Sequence, residues 1–259
     1  MTPTSRVLGD LASAEVAEHL RESSILCLPM GAIEQHGAHL ALDTDVVVAA
    51  GLTRCIVARW GDEFDLWQLP TFPIGLSREH DWAPGTLSLS IACFVAVVRD
   101  IARALTRALP ARNLVILNGH GGNRGVLENI LHELKGDFGF NACVIHPFDL
   151  ARVETTPAVP DVHGGQSETS VMLALAPDRV RMTLLQQSGG RHDPQTVEAL
   201  IFDRGATWPW RSDDAGLGHG GIIGDARGAS AELGAAIIER VVTESGRVFR
   251  RLLETRRAG

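Results

Sequence analysis

Short apolar runs alternate along this chain with longer stretches in which apolar residues return every three or four positions. The runs at residues 24–30, 64–73, 113–117 and 140–146 have the length and bounding turns of buried strands. Between and after them, helical spacing predicts helices over 45–60 (Val47, Ala50, Leu52, Ile56 and Val57), 91–108, 126–134 and 230–253, with a short one starting at Ser13. Ser13 is a candidate N-cap with Glu15 and Glu18 near the positive end of that helix, and the helix over 91–108 stops before Pro110. A further helix emerges from the Gly-rich start of segment 161–175, where Ser167 is a candidate cap and Glu168 falls in the first turn. Segment 147–160 reads as a proline-bearing loop, 191–218 as the least regular part, and 219–229 as another Gly-rich loop. No internal repeat or flexible linker interrupts the pattern, which predicts one α/β domain over residues 1–259.

Composition narrows the class. At 259 residues and 45% hydrophobic content the chain buries a full core. A net charge of −7 disfavours a nucleic-acid partner, since phosphate binding is driven by Lys and Arg. Cys27, Cys55, Cys93 and Cys143 are widely spaced in apolar surroundings, which predicts buried thiols in a reducing cytoplasm. The start of the chain shows no secretory pattern and no run is long enough for a membrane span, so the expectation is a cytoplasmic protein with no membrane partner.

The densest chemistry lies in GAIEQHGAHLALDTD, residues 31–45, which places Glu34, His36, His39, Asp43 and Asp45 at the end of an apolar run. In extended chain Glu34 and His36 point to one side. Any one of these residues is more often a solvated loop group or a cap. Together they repel unless something cationic lies among them, and mixed His and carboxylate donors are what a divalent ion takes. The helix after them puts the cluster at a strand's carboxyl end, where α/β sheets bind ligands.

Other segments offer further groups. NLVIL runs into NGHGGN, presenting His120 among glycines; no Lys-Ser or Lys-Thr follows, which argues against a nucleotide phosphate loop. Ser77, Glu79 and His80 precede the Pro84-Gly85 turn, and Glu79 and His80 on their own read more readily as loop surface. Ser77 beside these two is the best serine-nucleophile candidate, although no Gly-x-Ser-x-Gly elbow is present. Trp208 and Trp210 fit either a cover over a cleft or a subunit contact.

Taken in order, GAIEQHGAHLALDTD, GLSREHDWAPGT, NGHGGN, HGGQSETS and GIIGDARGASAELG resemble the creatininase (creatinine amidohydrolase) family over almost the whole chain. The resemblance implies a three-layer α/β/α fold with a largely parallel central sheet, and two divalent metal ions, Zn, Mn or Fe. It also implies hydrolysis of a C–N bond in a small cyclic or linear amide. Carried over by motif, Glu34, His36, Asp45, His120 and Glu168 are the implied metal ligands, with Asp45 bridging. His163 and Glu168 are the implied proton-transfer residues, and Ser77, Glu79, His80, Gly121 and Trp208 the candidate substrate-binding ones. Creatininase proper has a metal-binding Glu two residues after the Asn-Gly-His histidine; here that position is Gly122. This departure bears on creatinine as the substrate; the alternatives are a deformylase or peptidase acting on a cofactor-biosynthesis intermediate, as relatives in the family do, or a non-catalytic metal-binding scaffold. The family pattern further implies a homo-oligomer, a hexamer.

Overall fold

A computed structural model describes residues 5–152, 160–187, 193–203, 205–218 and 220–257 of the chain. Four strands, β1 (Ile25–Met30), β2 (Leu66–Gln68), β3 (Asn113–Asn118) and β4 (Asn141–Ile145), form one sheet in the order β2-β1-β3-β4, every pair parallel. Parallel neighbours need crossovers, and helices supply them. These are α2 (Thr44–Phe64) between β1 and β2, α3 (Ile91–Ala108) between β2 and β3, and α4 (Arg124–Gly136) between β3 and β4. Ahead of β1 lies α1 (Ser13–His19), and after β4 come α5 (Pro147–Ala151), α6 (Gln166–Leu175), α7 (Pro194–Leu200) and α8 (Ala231–Arg257).

Period-two alternation along the strands sorts the core into two faces. Leu26, Leu28 and Met30 of β1 with Leu114 and Ile116 of β3 pack against Phe94, Val98 and Ala102 of α3 and Leu127, Ile130 and Leu134 of α4. Ile25, Cys27, Val115 and Leu117 face the other way, onto Val48, Leu52 and Ile56 of α2, Val171 and Met172 of α6, and Ile237, Val241 and Phe249 of α8. Every residue of β1 and β3 is buried, as expected of a parallel sheet covered on both sides. Each such Leu, Ile or Phe contributes about 1.5–3 kcal/mol of hydrophobic stabilisation. The result is the three-layer α/β/α arrangement.

The strand ends fix the site. Met30 pairs with Asn118 at the last rung of the β1–β3 ladder, and the Gly119 N–H donates to the Met30 carbonyl at 2.8 Å. Both strands therefore finish level and pass straight into a glycine. A Cβ on Gly31 would lie 2.6 Å from the Val46 nitrogen, and one on Gly119 would lie 2.5 Å from the Asp45 carbonyl oxygen. With no side chain at either place, the first turn of α2 sits directly against the strand ends and carries Asp45 there.

Several local expectations are corrected. The predicted strand over 64–73 pairs only at Leu66–Gln68, because Pro70 and Pro73 have no N–H for a ladder, although Phe72 still bridges Met30. Pro147 does not continue a loop: it occupies the first turn of α5, where a missing N–H costs nothing. Ser13 is the first helical residue and Ala12 the N-cap, its N–H held by Glu15 Oε2 at 2.7 Å. Likewise Ser167 lies inside α6 and Gly165 is the N-cap; Asp161 Oδ2 accepts from the Ser167 N–H at 2.8 Å and does the capping from upstream. Part of segment 191–218 is helical, as α7. Cys27 is buried, but Cys55 and Cys143 are half-buried and Cys93 is exposed; all four are free thiols. Among the described residues no helix is long and apolar enough to cross a membrane. Residues 153–159, 191–192 and His219, parts of the predicted loops, lie outside the described residues.

Candidate metal centre

Four stretches converge beyond the carboxyl ends of β1 and β3. The segment after β1 brings Glu34 and His36, and the first turn of α2 brings Asp45, a position where the helix dipole favours negative charge. From the segment after β3 comes His120, while the loop into α6 supplies His163 and the first turn of α6 supplies Glu168. Asn123, fully buried, ties the first and third stretches to the loop at 75–80. Its Oδ1 accepts from the Leu76 N–H at 2.9 Å, and its Nδ2 donates to the Gly31 carbonyl at 3.2 Å and to Asn118 Oδ1 at 3.3 Å.

The donor atoms are close. His36 Nε2 lies 3.1 Å from Asp45 Oδ1 and 3.9 Å from both Glu34 Oε1 and Glu168 Oε2. His120 Nδ1 lies 3.1 Å from Asp45 Oδ2 and 3.3 Å from Glu34 Oε1, and His163 Nδ1 is 3.5 Å from Glu34 Oε1. Asp45 thus reaches a different histidine with each oxygen. Two groups, Glu34–Asp45–His120 and His36–His163–Glu168, each have ligand atoms within 4.8 Å of one another.

Charge makes the fit to cations specific. Both carboxylate oxygens of Glu34 and Oδ2 of Asp45 are buried without a hydrogen-bond partner among the described residues. Leaving such acceptors dry and unpaired is costly, and a bound divalent ion removes the cost. Protons mark the same places in the ion-free chain. Burial would lower His36, but Asp45, helped by Glu168 and Glu34, overrides it and pushes the ring up to about 10. His120 is likewise held well above its usual range against burial, by Glu34 and Asp45. Burial raises Glu34, yet His120 foremost, with His80 and His163, holds it well below the usual carboxylate range. Burial raises Glu168 to about 7 against the pull of His36, and lowers His163 well below the usual imidazole range with the help of His80 and His36.

The remaining candidates are distributed unevenly. Ser77 is buried with Oγ 3.4 Å from His120 Nε2, and Glu79 Oε1 is 3.7 Å from the same nitrogen. His80 is buried, 3.6 Å from Glu34 Oε1 and stacked on His163 with ring centroids 4.0 Å apart. Gly122 has no space for a side chain: a Cβ there would stand 2.1 Å from the Leu76 carbonyl oxygen and 2.6 Å from Glu79 Oε1. Trp208 does not join the cluster. It is 49% exposed with its indole N–H on Asp203, whereas Trp210 approaches His80 edge-on at 6.3 Å.

Beside the cluster opens a cavity of about 310 Å³, with Gly121, His120 and Glu168 on the cluster side and Arg124, His146 and Asp149 farther out. Sequence reasoning missed these outer residues, and also Gln35, Ser212 and Asp161. His146 bonds Asn118 through Nδ1 at 3.3 Å and faces Glu128 Oε1 from Nε2 at 3.2 Å. Gln35 lies within the stretch 31–45 but carries no metal-ligand chemistry, and Arg124, His146, Asp149 and Ser212 stand in no local motif.

Comparison with known proteins bears on the family. The family pattern described as creatininase, creatinine amidohydrolase, matches residues 9–249. The mycofactocin precursor peptide peptidase of Mycobacterium tuberculosis (strain CDC 1551 / Oshkosh) is 32% identical over 248 residues, covering 92% of this chain and 89% of that protein. The creatinine amidohydrolase of Pseudomonas putida is 32% identical over 238 residues, 83% of this chain and 84% of its own. Among solved structures, a creatininase variant complexed with creatine superposes with a TM-score of 0.79 at 28% identity, covering 96% of this chain and 98% of that one. The manganese form of creatininase gives 0.76 at 29% identity, covering 96% and 98%. With two parallel strand ends, a buried carboxylate–imidazole cluster and a match across nearly its whole length, this chain belongs to the creatininase family.

Proposed function

We propose that the chain is a metal-dependent amidohydrolase that cleaves an amide bond within a peptide. The observation that carries the reading is the set of orphaned buried oxygens on Glu34 and Asp45, ringed by imidazole nitrogens beside an open cavity. Glu34, Asp45 and His120 would hold one divalent ion, and His36, Asp45 and Glu168 the other, with Asp45 shared. When bound, such a pair makes a water nucleophilic near neutral pH and polarises a carbonyl. Overall, water adds its oxygen to the amide carbon, the C–N bond breaks, and the nitrogen leaves as an amine with a proton to collect.

The chain's own groups handle that proton. His163 gives its Nε2–H to the Gln35 carbonyl at 2.6 Å, so the neutral ring keeps a lone pair on Nδ1 toward the cluster. Glu168 has donor atoms within 4.8 Å of His163 and, unlike His163, lines the cavity. A proton taken up at His163 Nδ1 therefore has Glu168 as its route to the leaving nitrogen. The Gly164 N–H donates to Glu168 Oε2 at 2.6 Å and keeps that carboxyl aimed inward.

The peptide is preferred over a creatinine-like ring for two reasons. Relatives described as peptidases match the chain over 92% of its length, and the carboxylate that creatininase proper places two residues after His120 is replaced by a glycine with no room for it. Chain-chemical neighbours of both signs, Arg124 and Asp149, at the outer cavity suit the polar backbone and termini of a peptide. Assembly into a cytoplasmic homo-oligomer of six copies is proposed on the family resemblance.

A direct test incubates the zinc- or manganese-loaded protein with a library of short peptides and, in parallel, with creatinine, and follows products by mass spectrometry. Peptide fragments that vanish with phenanthroline and return with added metal are the expected result. Creatinine turnover without peptide cleavage would overturn the peptide assignment, and bound metal with no turnover of any amide would favour the scaffold.

A further inference from the structure

Four imidazoles surround Glu34, and three of them have the same kind of outer partner. His36 Nδ1 meets the Glu34 carbonyl at 3.1 Å, His120 Nε2 the Leu76 carbonyl at 2.7 Å, and His163 Nε2 the Gln35 carbonyl at 2.6 Å. A carbonyl only accepts, so each ring gives its outer N–H away and turns the other nitrogen toward the carboxylates.

His80 is wired the other way. Its outer nitrogen, Nδ1, lies 3.0 Å from Gln35 Nε2 and 2.7 Å from Ser212 Oγ. The Gln35 amide cannot be turned round, because Oε1 accepts from the Gly37 N–H at 3.0 Å and Nε2 donates to the Gly221 carbonyl at 2.9 Å. Its second amide hydrogen is left for His80 Nδ1: His163 Nε2, at 3.1 Å, has given its own hydrogen to the Gln35 carbonyl and cannot accept, and Ser212 Oγ is farther at 3.4 Å. Ser212 Oγ receives the Trp82 indole N–H at 2.9 Å and, with the Gln35 hydrogen already directed at Nδ1, turns its own hydrogen to the nearer His80 Nδ1 at 2.7 Å, the Glu79 carbonyl being farther at 3.3 Å. With two donors converging on it, Nδ1 must accept.

We propose that Gln35 and Ser212 lock His80 with its proton on Nε2, and that His80 is a positioning residue for Glu34, not a metal ligand. Nε2 stands 3.6 Å from Glu34 Oε1, so its N–H presents positive charge to a buried oxygen that has no hydrogen-bond partner of its own. Donor atoms of Glu34, His80 and His163 lie within 4.8 Å of one another and outline a third ion site. A proton on His80 Nε2 closes it. The name of ion ligand for Glu34 rests on the hydrolase reading above; the protonation pattern does not.

Neutron diffraction from crystals of the whole protein, without and with zinc, reads that pattern directly. Deuterium on Nε2 and none on Nδ1, in both states, is expected. Deuterium on Nδ1, or zinc density within bonding distance of His80, overturns the proposal whatever the protein is found to hydrolyse. Two variants test the consequence by metal analysis and chelator competition. His80→Phe keeps the ring stacked on His163 but has no N–H, and should retain the full metal count while binding it about 10–100-fold more weakly. His80→Gln can extend an amide N–H toward the same oxygen and should recover most of that loss. Loss of a whole metal equivalent in His80→Phe, or equal weakening in both variants, counts against the positioning role.

Discussion

The Nε2–H of His120 donates to the Leu76 carbonyl at 2.7 Å, which aims Nδ1 between Glu34 and Asp45. A backbone oxygen from a distant loop thus sets the orientation of a candidate ligand, and disturbing that loop should register at the metal centre.

Gly122→Ala makes the disturbance deliberately. The new Cβ meets the Leu76 oxygen, a backbone atom that cannot swing away, so the loop must shift at a cost of about 1–3 kcal/mol. Urea denaturation should show that loss, and metal analysis should show weaker retention. A variant as stable and as metal-rich as the parent would mean the loop yields freely.

Removing Asn123 should act through the same loop without any clash. Its side chain serves Leu76, Gly31 and Asn118 while fully buried, so Asn123→Ala leaves partners unsatisfied and should cost about 1–3 kcal/mol. Chemical unfolding measures it.

Asp45 touches His36 with one oxygen and His120 with the other. Asp45→Ala is accordingly expected to lose both ions and His120→Ala one, counted by plasma emission after dialysis, with amide turnover abolished in the first. Full metal content in Asp45→Ala would refute the shared-ligand assignment.

Metal should also stabilise the fold, since it binds only when the four stretches are assembled. At a free concentration one hundred times its dissociation constant, a single such ion adds about 2.7 kcal/mol. A thermal midpoint that rises with added zinc and falls with phenanthroline is the expected readout.

Trp208→Ala provides the contrast. The ring is half-exposed and, among the described residues, hydrogen-bonded at its indole N–H to Asp203, so stability should change by no more than about 0.5 kcal/mol. Should peptide turnover collapse in this variant, the indole has a role at the cavity that the structure does not display.

Much of this architecture was readable from the sequence. The helix over 91–108 was located to the residue because its apolar stripe at positions 94, 98, 102 and 105 is a pure helical period closed by Pro110. β1 and β3 were legible because both faces are buried and leave unbroken apolar runs. What escaped were features decided by tertiary contact. Asp161 displaces Ser167 as the cap of α6 only because the chain folds back, and two prolines trim an edge strand that composition alone extends. In the candidate site, motif density pointed to Glu34, His36, Asp45 and His120. Ser212 carries no motif at all; its tie to Gln35 spans 177 residues.

The level finish of β1 and β3 has one more consequence. Because Met30 sits opposite Asn118, Glu34 and His120, far apart in the sequence, are brought into line by the pairing of two strands. A slip of one residue would move His120 by about 3.3 Å along the sheet and turn its strand inside out. Retention of metal would then report on whether those strands have paired in the right frame, which makes the centre a built-in gauge of correct folding.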